Sequence, residues 1–393
     1  MFKQFFINGG VTAPDGFFAD GVNSGIKDDS LDLAFIYSDP IANIGAVFTS
    51  NKFQASPLQH FQRENIEKSN FILINSKNAN AMTGERGVQD IYSIFSTLSK
   101  ELPIYNPVMS STGVIGSPLP VEKIVEGAKS FDLNSKNHLN ASKAIMTTDT
   151  RPKEIAVEVQ LPDGRSYRVG GMAKGAGMIN PSMATMLAFI TTDLKIDTPT
   201  LNRLLRETTK TTFNAISVDG DTSTNDSVFL MANGKKDFFD EVSFRETLHL
   251  IMKHLALEIV KDGEGAKKLV AFRVTGAKSD RDAEKVAKTL SNSLLVKTAI
   301  FGEDPNWGRI AMAIGASGVE VCEKNLTIAY EDVEVYRRGE NLFTPEVEEK
   351  AYQILRKSQF SIYCDLGLGD GEFTSYTCDI GYEYVRINAD YRT

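Results

Sequence analysis

The chain has 393 residues, of which 42% are hydrophobic and 24% charged, and its formal net charge is −8. The apolar content excludes a disordered polymer, and the acidic balance argues against nucleic acid or an anionic membrane as main partner. The length is large for one compact core and points to two or three domains, or to a large α/β body with a satellite.

The first ten residues hold one charge, Lys3, and a short apolar patch. They lack the apolar core of a signal peptide. No stretch reaches the roughly eighteen apolar residues of a membrane span. The three cysteines, Cys322, Cys364 and Cys378, are far apart and form no CxxC pair. These features predict a cytoplasmic protein without a disulfide framework or a zinc site.

Short β-branched runs bounded by Gly, Asn, Asp or Pro predict strands at 31–37, 71–75, 154–161, 186–190, 228–231, 271–274, 319–322, 326–329 and 382–387. Helices are expected near 87–100, 121–129, 282–293 and 345–356. Another begins at Thr198-Pro199, read as a cap followed by proline at the first helical position. The clearest helix is 244–260, where Phe244, Leu248, Ile251, Met252, Leu255 and Ile259 share one face. Ser243 with Glu246 predicts a capping box there, and Gly263 a stop. No linker, repeat or long charge run interrupts the chain, so the elements should pack as one intimate α/β protein.

Three local patterns invite a ligand and do not support one. The stretch Gly170-Gly171-Met172-Ala173-Lys174-Gly175-Ala176-Gly177 lacks the third glycine of a dinucleotide loop, since Asn180 stands there. It also lacks the Gly-Lys-Ser/Thr of a P-loop. In Asp219-Gly220-Asp221-Thr222-Ser223-Thr224-Asn225-Asp226, Thr224 and Leu230 occupy positions where a calcium loop needs Gly and Glu. A turn rich in self-capping side chains is the default reading. The four histidines, His60, His138, His249 and His254, suggest no metal pair, and their scarcity weakens a Ser-His-Asp or Cys-His hydrolase.

Other motifs, taken together, carry more. They are Gly10-Val11-Thr12-Ala13-Pro14 with Gly25-Ile26-Lys27; Asn78-Ala79-Asn80-Ala81; Ser111-Thr112-Gly113-Val114-Ile115-Gly116; and Met146-Thr147-Thr148-Asp149-Thr150. Then follow Lys174 through Leu187, Val218-Asp219-Gly220-Asp221-Thr222, Asp262-Gly263-Glu264-Gly265, Asp304-Pro305-Asn306-Trp307-Gly308-Arg309 and Ile387-Asn388-Ala389-Asp390-Tyr391-Arg392-Thr393. This ordered set, spread over nearly the whole chain, resembles the glutamate N-acetyltransferase family, also called ornithine acetyltransferases. Lys77 and Met82 depart from the pattern, standing where a small residue and a cysteine are expected. The run Phe373 to Tyr376 departs too.

The resemblance implies an αββα layered sandwich with a smaller α/β subdomain. It implies a self-cleavage between Ala184 and Thr185 that yields an α chain of residues 1–184 and a β chain of residues 185–393, assembled as α2β2. The implied reaction moves acetyl from N2-acetyl-L-ornithine to L-glutamate in arginine biosynthesis. Some members also take acetyl-CoA as donor, and no local motif decides that point. No metal or bound cofactor is implied. By residue-by-residue carry-over, Thr185 is the nucleophile, and Thr112 and Gly113 supply the oxyanion donors. Thr148, Lys174, Thr185, Glu264, Asn388 and Thr393 bind substrate.

Residue chemistry shows why such a scheme is workable. A threonine hydroxyl needs a base, and an N-terminal α-amine has an ordinary pKa of about 7.7–8.0. Cleavage would turn the Thr185 amide nitrogen into that base, with no histidine required. Two other readings fit the same residues: a self-processed amidohydrolase or aminopeptidase using Thr185, and a non-enzymatic α/β binding protein.

Overall fold

The computed structural model describes residues 1–180 and 186–390. They form a mixed α/β protein with two sheets, divided between two compact units. The larger unit takes the described residues of Met1–Gly175, Pro181–Asn214 and Thr222–Ile259. The smaller takes those of Ala176–Asn180, Ala215–Asp221 and Val260–Thr393. The smaller unit is the α/β subdomain that the resemblance implied.

The sheet of the larger unit has nine strands among the described residues. Its spatial order is Lys3–Ile7, Lys153–Gln160, Ser166–Lys174, Leu187–Leu194, Ser227–Lys236, Leu33–Phe48, Lys68–Asn75 and Val108–Ser111. The ninth, Phe17–Val22, pairs with the first half of the long strand Leu33–Phe48. Successive side chains in a strand point to opposite faces, and here both faces are covered. Leu33, Phe35, Phe71 and Leu73 face the helices Gly84–Leu98 and Val121–Lys129. Ala34, Ile36, Ile72 and Ile74 turn to the other face, where the helix His138–Ala144 packs. The continuous apolar run at 71–74 is thus a strand buried on both sides. The helix Glu241–Lys261 lies against Gly171, where an added Cβ would stand 3.1 Å from Ile251 and Leu255.

The order of this sheet has a covalent consequence. The strands Leu187–Leu194 and Ser227–Lys236 follow position 185 and lie side by side in the middle. Strands from before position 184 flank them on both sides. Leu187–Thr192 pairs antiparallel with Val169–Lys174, and Ser227–Ala232 pairs antiparallel with Asn43–Phe48. Phe189 and Phe229 stand in register on the central pair and stack at 5.8 Å between ring centres. Burying each ring contributes about 1.5–3 kcal/mol, and the stacking about 0.5–1.5 more, so burial is the larger effect.

In the smaller unit the strand order is Glu340–Asn341, Val333–Arg337, Thr327–Tyr330, Gln359–Asp365, Leu269–Ala277, Gly371–Cys378 and Ile216–Ser217. The helix Asp280–Asn292 packs Ala283, Val286, Ala287 and Leu290 onto Val270, Phe272 and Val274. It starts where Ser279 accepts the Asp282 N–H, with Asp280 and Asp282 in its first turn. Both features stabilise a helix N-terminus. Cys364 and Cys378 are buried thiols, and burial pushes Cys364 up to about 12.

The structure corrects several sequence expectations. Residues 382–387 are not a strand but part of the helix Tyr382–Ala389, none of whose residues is buried. Aromatic and β-branched content is a weak guide where no neighbouring strand is available. Residues 319–322 form no strand either, although Val319 and Val321 pack on the core of the smaller unit. The long helix begins at Glu241, and Asp240 rather than Ser243 acts as its cap, accepting the Ser243 N–H at 2.9 Å. Asp197 likewise caps Thr198–Thr211, one residue before the expected position. The face from Phe244 to Ile259 is fully buried as expected. Each compact unit contains residues from both sides of position 184, so the units are a different division from the expected α and β chains.

A chain cut between 184 and 185 should behave as one particle in buffer, because the central strands are held by pieces of the other fragment. Size-exclusion chromatography is expected to give one peak containing both fragments, which separate only in denaturant. Two separately eluting fragments in buffer would contradict this topology.

Candidate functional site

The motifs at 78–81 and 111–116 pack as one loop system in the larger unit. Thr112 donates its N–H to the Asn75 carbonyl at 3.0 Å, and Val114 donates to Lys77 at 3.0 Å. Ser111 Oγ donates to Asn75 Oδ1 at 2.6 Å. Asn78 Oδ1 accepts the Asn80 N–H at 2.8 Å, and its Nδ2 reaches the carbonyls of Ser117 and Pro118. Gly113 lies at φ +135°, and a Cβ on it would come within 2.1 Å of the Lys77 carbonyl carbon. Only glycine fits there. The two departing residues, Lys77 and Met82, both have positive φ and exposed side chains, so their bulk points away from the packing.

A buried carboxylate organises the other half of this region. Asp149 has a fully buried side chain and accepts from Lys153 Nζ at 2.7 Å and from the Gly175 N–H at 2.6 Å. Its second oxygen accepts the Thr147 N–H at 3.0 Å and lies 3.8 Å from Lys174 Nζ. Burial by itself would push the Asp149 carboxyl up. The Lys174 and Lys153 charges and the hydrogen bonds outweigh burial and hold it far below the usual range. Lys174, only 8% exposed, donates to Thr147 Oγ1 at 2.7 Å. Thr148, next in sequence to Thr147, is half-buried.

The Gly25-Ile26-Lys27 motif wraps a second buried carboxylate. Asp32 accepts the N–H groups of Ser24, Ile26 and Lys27 at 2.7–2.8 Å. Lys27 then reaches the carbonyls of Met146 at 2.7 Å and Leu31 at 3.1 Å. Burial lowers the Lys27 ammonium to about 8, with Asp32 opposing that shift.

A chain of contacts links both clusters to the strand that begins at Leu187. Lys174 is the direct cross-strand partner of Leu187. On its other side Leu187 pairs with Ser227, whose N–H donates to the Met186 carbonyl at 2.9 Å. Two residues earlier, buried Asn225 donates to the Ser111 carbonyl at 2.9 Å and to the Ala79 carbonyl at 2.5 Å. The larger unit therefore sets Lys174 beside the start of that strand and links the loop carrying Thr112 and Gly113 to it through Asn225 and Ser227. Sequence reasoning did not single out Asp149, Lys153, Asn75 or Asn225 as organisers. Asp149 and Asn225 lay inside quoted motifs, but several of their partners, Gly175 for Asp149 and Ser111 and Ala79 for Asn225, are far away in the chain.

In the smaller unit Glu264 is buried, and its carboxylate accepts from Asn388 Nδ2 at 2.6 Å. Its N–H donates to the Ala176 carbonyl at 3.0 Å. A Cβ on Gly177 would stand 2.4 Å from the Glu264 carboxylate, which accounts for a second glycine of the run. The Asp219 loop is a turn, as expected, and its first carboxylate accepts the N–H groups of Met178 and Ile179. Ala184, Thr185 and Thr393 lie outside the described residues. Among the described residues no group of three His, Cys, Asp or Glu side chains is arranged to hold a metal ion. No helix among them is long and apolar enough to cross a membrane.

Comparison with known proteins adds independent information. The ArgJ family profile matches residues 18–393. The chain is 54% identical over 396 residues to the arginine biosynthesis bifunctional protein ArgJ of Wolinella succinogenes, covering 100% of both chains. It is 42% identical to the protein of the same name from Oceanobacillus iheyensis, over 98% of this chain and 97% of that one. A crystal structure of arginine biosynthesis bifunctional protein ArgJ from Bacillus halodurans aligns with a TM-score of 0.49 and 44% identity, over 52% of this chain and 99% of that chain.

The buried Asp149 yields a stability prediction. Asp149→Asn removes the negative charge beside Lys153 and Lys174, and breaking a buried pair costs about 3–5 kcal/mol. The variant is expected to melt at a clearly lower temperature, and an unchanged melting temperature would show that the carboxylate is not holding the lysines.

Proposed function

The chain belongs to the ArgJ family and is an acyltransferase, and from that premise we propose that it cuts itself at Ala184–Thr185 and then moves acetyl from N2-acetyl-L-ornithine to L-glutamate. The observation that carries the reading is the register of Lys174 opposite Leu187. Paired residues of neighbouring strands stand about 5 Å apart, so the strand following Thr185 starts beside a lysine and the Thr112–Gly113 loop system. A nucleophile at the head of a central strand is held by a rigid element, which favours precise attack.

In the self-cleavage, Thr185 Oγ attacks the Ala184 carbonyl carbon. The C–N bond breaks, the hydroxyl proton passes to the departing nitrogen, and an ester forms. Water then hydrolyses the ester, freeing the Ala184 carboxyl and restoring the hydroxyl. The new α-amine of Thr185 is the base for the second reaction. Thr185 Oγ attacks the acetyl carbonyl of acetylornithine, ornithine leaves with the proton, and an acetyl ester remains. The amine of glutamate attacks that ester and carries acetyl away, which is a ping-pong sequence. The Thr112 hydroxyl and the Gly113 N–H are the donors to each oxyanion, and Gly113 is the position where backbone must approach closely.

Lys174 suits the substrate α-carboxylate, because its ammonium is already fixed by Thr147 and Asp149. Glu264 suits the side-chain ammonium of ornithine, with Asn388 hydrogen-bonded to it. Thr148, Thr185 and Thr393 complete the binding set carried over from the family resemblance. The reading needs no metal and no bound cofactor, and it allows acetyl-CoA as a second donor. It includes an α2β2 assembly in the cytoplasm. Water must be kept from the acetyl ester, or the enzyme becomes a hydrolase.

Protein incubated with acetylornithine and glutamate is expected to yield N-acetylglutamate with little free acetate; acetate alone would favour the amidohydrolase. Acetyl-CoA with glutamate decides the second donor. Thr185→Ala should stay one chain on a denaturing gel and be inactive. Thr112→Ala, which removes the hydroxyl donor, is expected to lower kcat about 10²–10³-fold, as loss of one oxyanion donor does. Wild-type kcat in that variant would remove the Thr112 hydroxyl from the mechanism.

A further inference from the structure

The Asp219 turn, dismissed above as a calcium loop, closes a ring of contacts inside the smaller unit. Asp219 Oδ2 accepts the Met178 N–H at 2.6 Å, and Oδ1 accepts the Ile179 N–H at 2.8 Å. Met178 has φ +57°, a left-handed conformation that L side chains adopt at a cost. Two successive N–H groups around such a residue form a nest for an anion, and here the carboxylate fills it. The grip continues along the segment. Val218 N–H and Ser217 Oγ both donate to the Ile179 carbonyl, at 2.6 and 3.1 Å, and Asn180 Nδ2 donates to the Gly220 carbonyl at 2.9 Å.

The other side of the ring runs through the last helix. Tyr384 OH donates to Asp219 Oδ2 at 3.2 Å. The Tyr384 carbonyl accepts from Asn388 Nδ2 at 2.9 Å, and the same amide group donates to Glu264 at 2.6 Å. Glu264 returns to the segment through the Ala176 carbonyl and its contact with Gly177. Residues 176–180 are therefore pinned from both sides, and the last of them stands five residues before Thr185 in sequence. One pin is local, and the other exists only when Tyr382–Ala389 has docked. Burial, with the Asp219 charge beside it, raises the Tyr384 hydroxyl above its ordinary range, so it stays a donor at neutral pH.

We infer that Asp219 is a positioning residue for self-cleavage, and that Tyr384 makes its grip conditional on the docked C-terminal helix, so that a chain is cut only after its last helix has folded. This rests on the proposed cleavage at Ala184–Thr185. A self-attack needs Oγ within bonding approach of the preceding carbonyl, and a small misplacement of the reacting atoms is costly in rate. The gripped residues 178–180 directly precede, in sequence, the stretch that carries the proposed scissile bond.

The test follows cleavage of freshly translated full-length chains over time on denaturing gels and by intact mass. Wild type and Thr185→Ala define the cut and uncut references. Asp219→Ala is expected to slow cleavage at least tenfold, and Tyr384→Phe at least threefold. Added formate is expected to restore at least threefold of the Asp219→Ala rate, since it can refill the emptied nest; a loss due only to poor folding would not respond. Wild-type cleavage rates in Asp219→Ala, or a defect that formate leaves unchanged and that follows a fallen melting temperature, would overturn the role of Asp219. Wild-type rates in Tyr384→Phe would overturn the coupling to the helix. If the wild-type chain itself yields no fragments meeting at 184/185, the cleavage reading fails, and this inference falls with it.

Discussion

The larger unit depends on two strands, Leu187–Leu194 and Ser227–Lys236, standing between strands that come from earlier in the chain. Each is hydrogen-bonded along most of its length on both sides. A break in the chain before Leu187 removes one covalent bond and leaves those ladders in place. The first residues of the central strand are the very ones that Lys174 and Ser227 hold in register. The sheet would therefore hold together with a chain end before its centre. Register is strongly specified here, because a one-residue slip would turn Phe189 and Phe229 away from their buried cluster.

Carboxylates do the local organising, two of them buried and the third, Asp219, partly so. Asp32, Asp149 and Asp219 each collect several donors from short motifs that would otherwise be irregular loops. An ionised carboxylate is expensive to bury unless it is paired and hydrogen-bonded, so each one compels its loop to present N–H groups to it. Asp149 does this with two lysines and two backbone donors. The result is a lysine at the strand end whose position is set twice, by Asp149 and by Thr147. Such double restraint is what a group meant to meet a substrate carboxylate needs.

The elements readable in the sequence were those whose environment is uniform along the segment. The helix Glu241–Lys261 buries one stripe, and the strand Lys68–Asn75 is apolar on both faces, so each shows its period plainly. The start of the long helix was misplaced because Ser243 and Asp240 are both good caps, and only packing decides between them. The final helix was read as a strand because Tyr, Val and Ile suit both states. None of its residues is buried, and its contacts include the Tyr384–Asp219 and Asn388–Glu264 hydrogen bonds, so no hydrophobic period marked it.

By itself the sequence determined the α/β class, the main core face of the long helix and the ordered motifs that single out Thr185. It also showed that an N-terminal threonine could act in a chain poor in histidine. Those features are local, or are matched motif by motif. Only the tertiary structure decided which side chains the motifs serve. Asp149 meets Gly175 across 26 residues, Asn388 meets Glu264 across 124, and Tyr384 meets Asp219 across 165. Pairings at such separations depend on strand order and helix docking, which no local pattern of residues encodes.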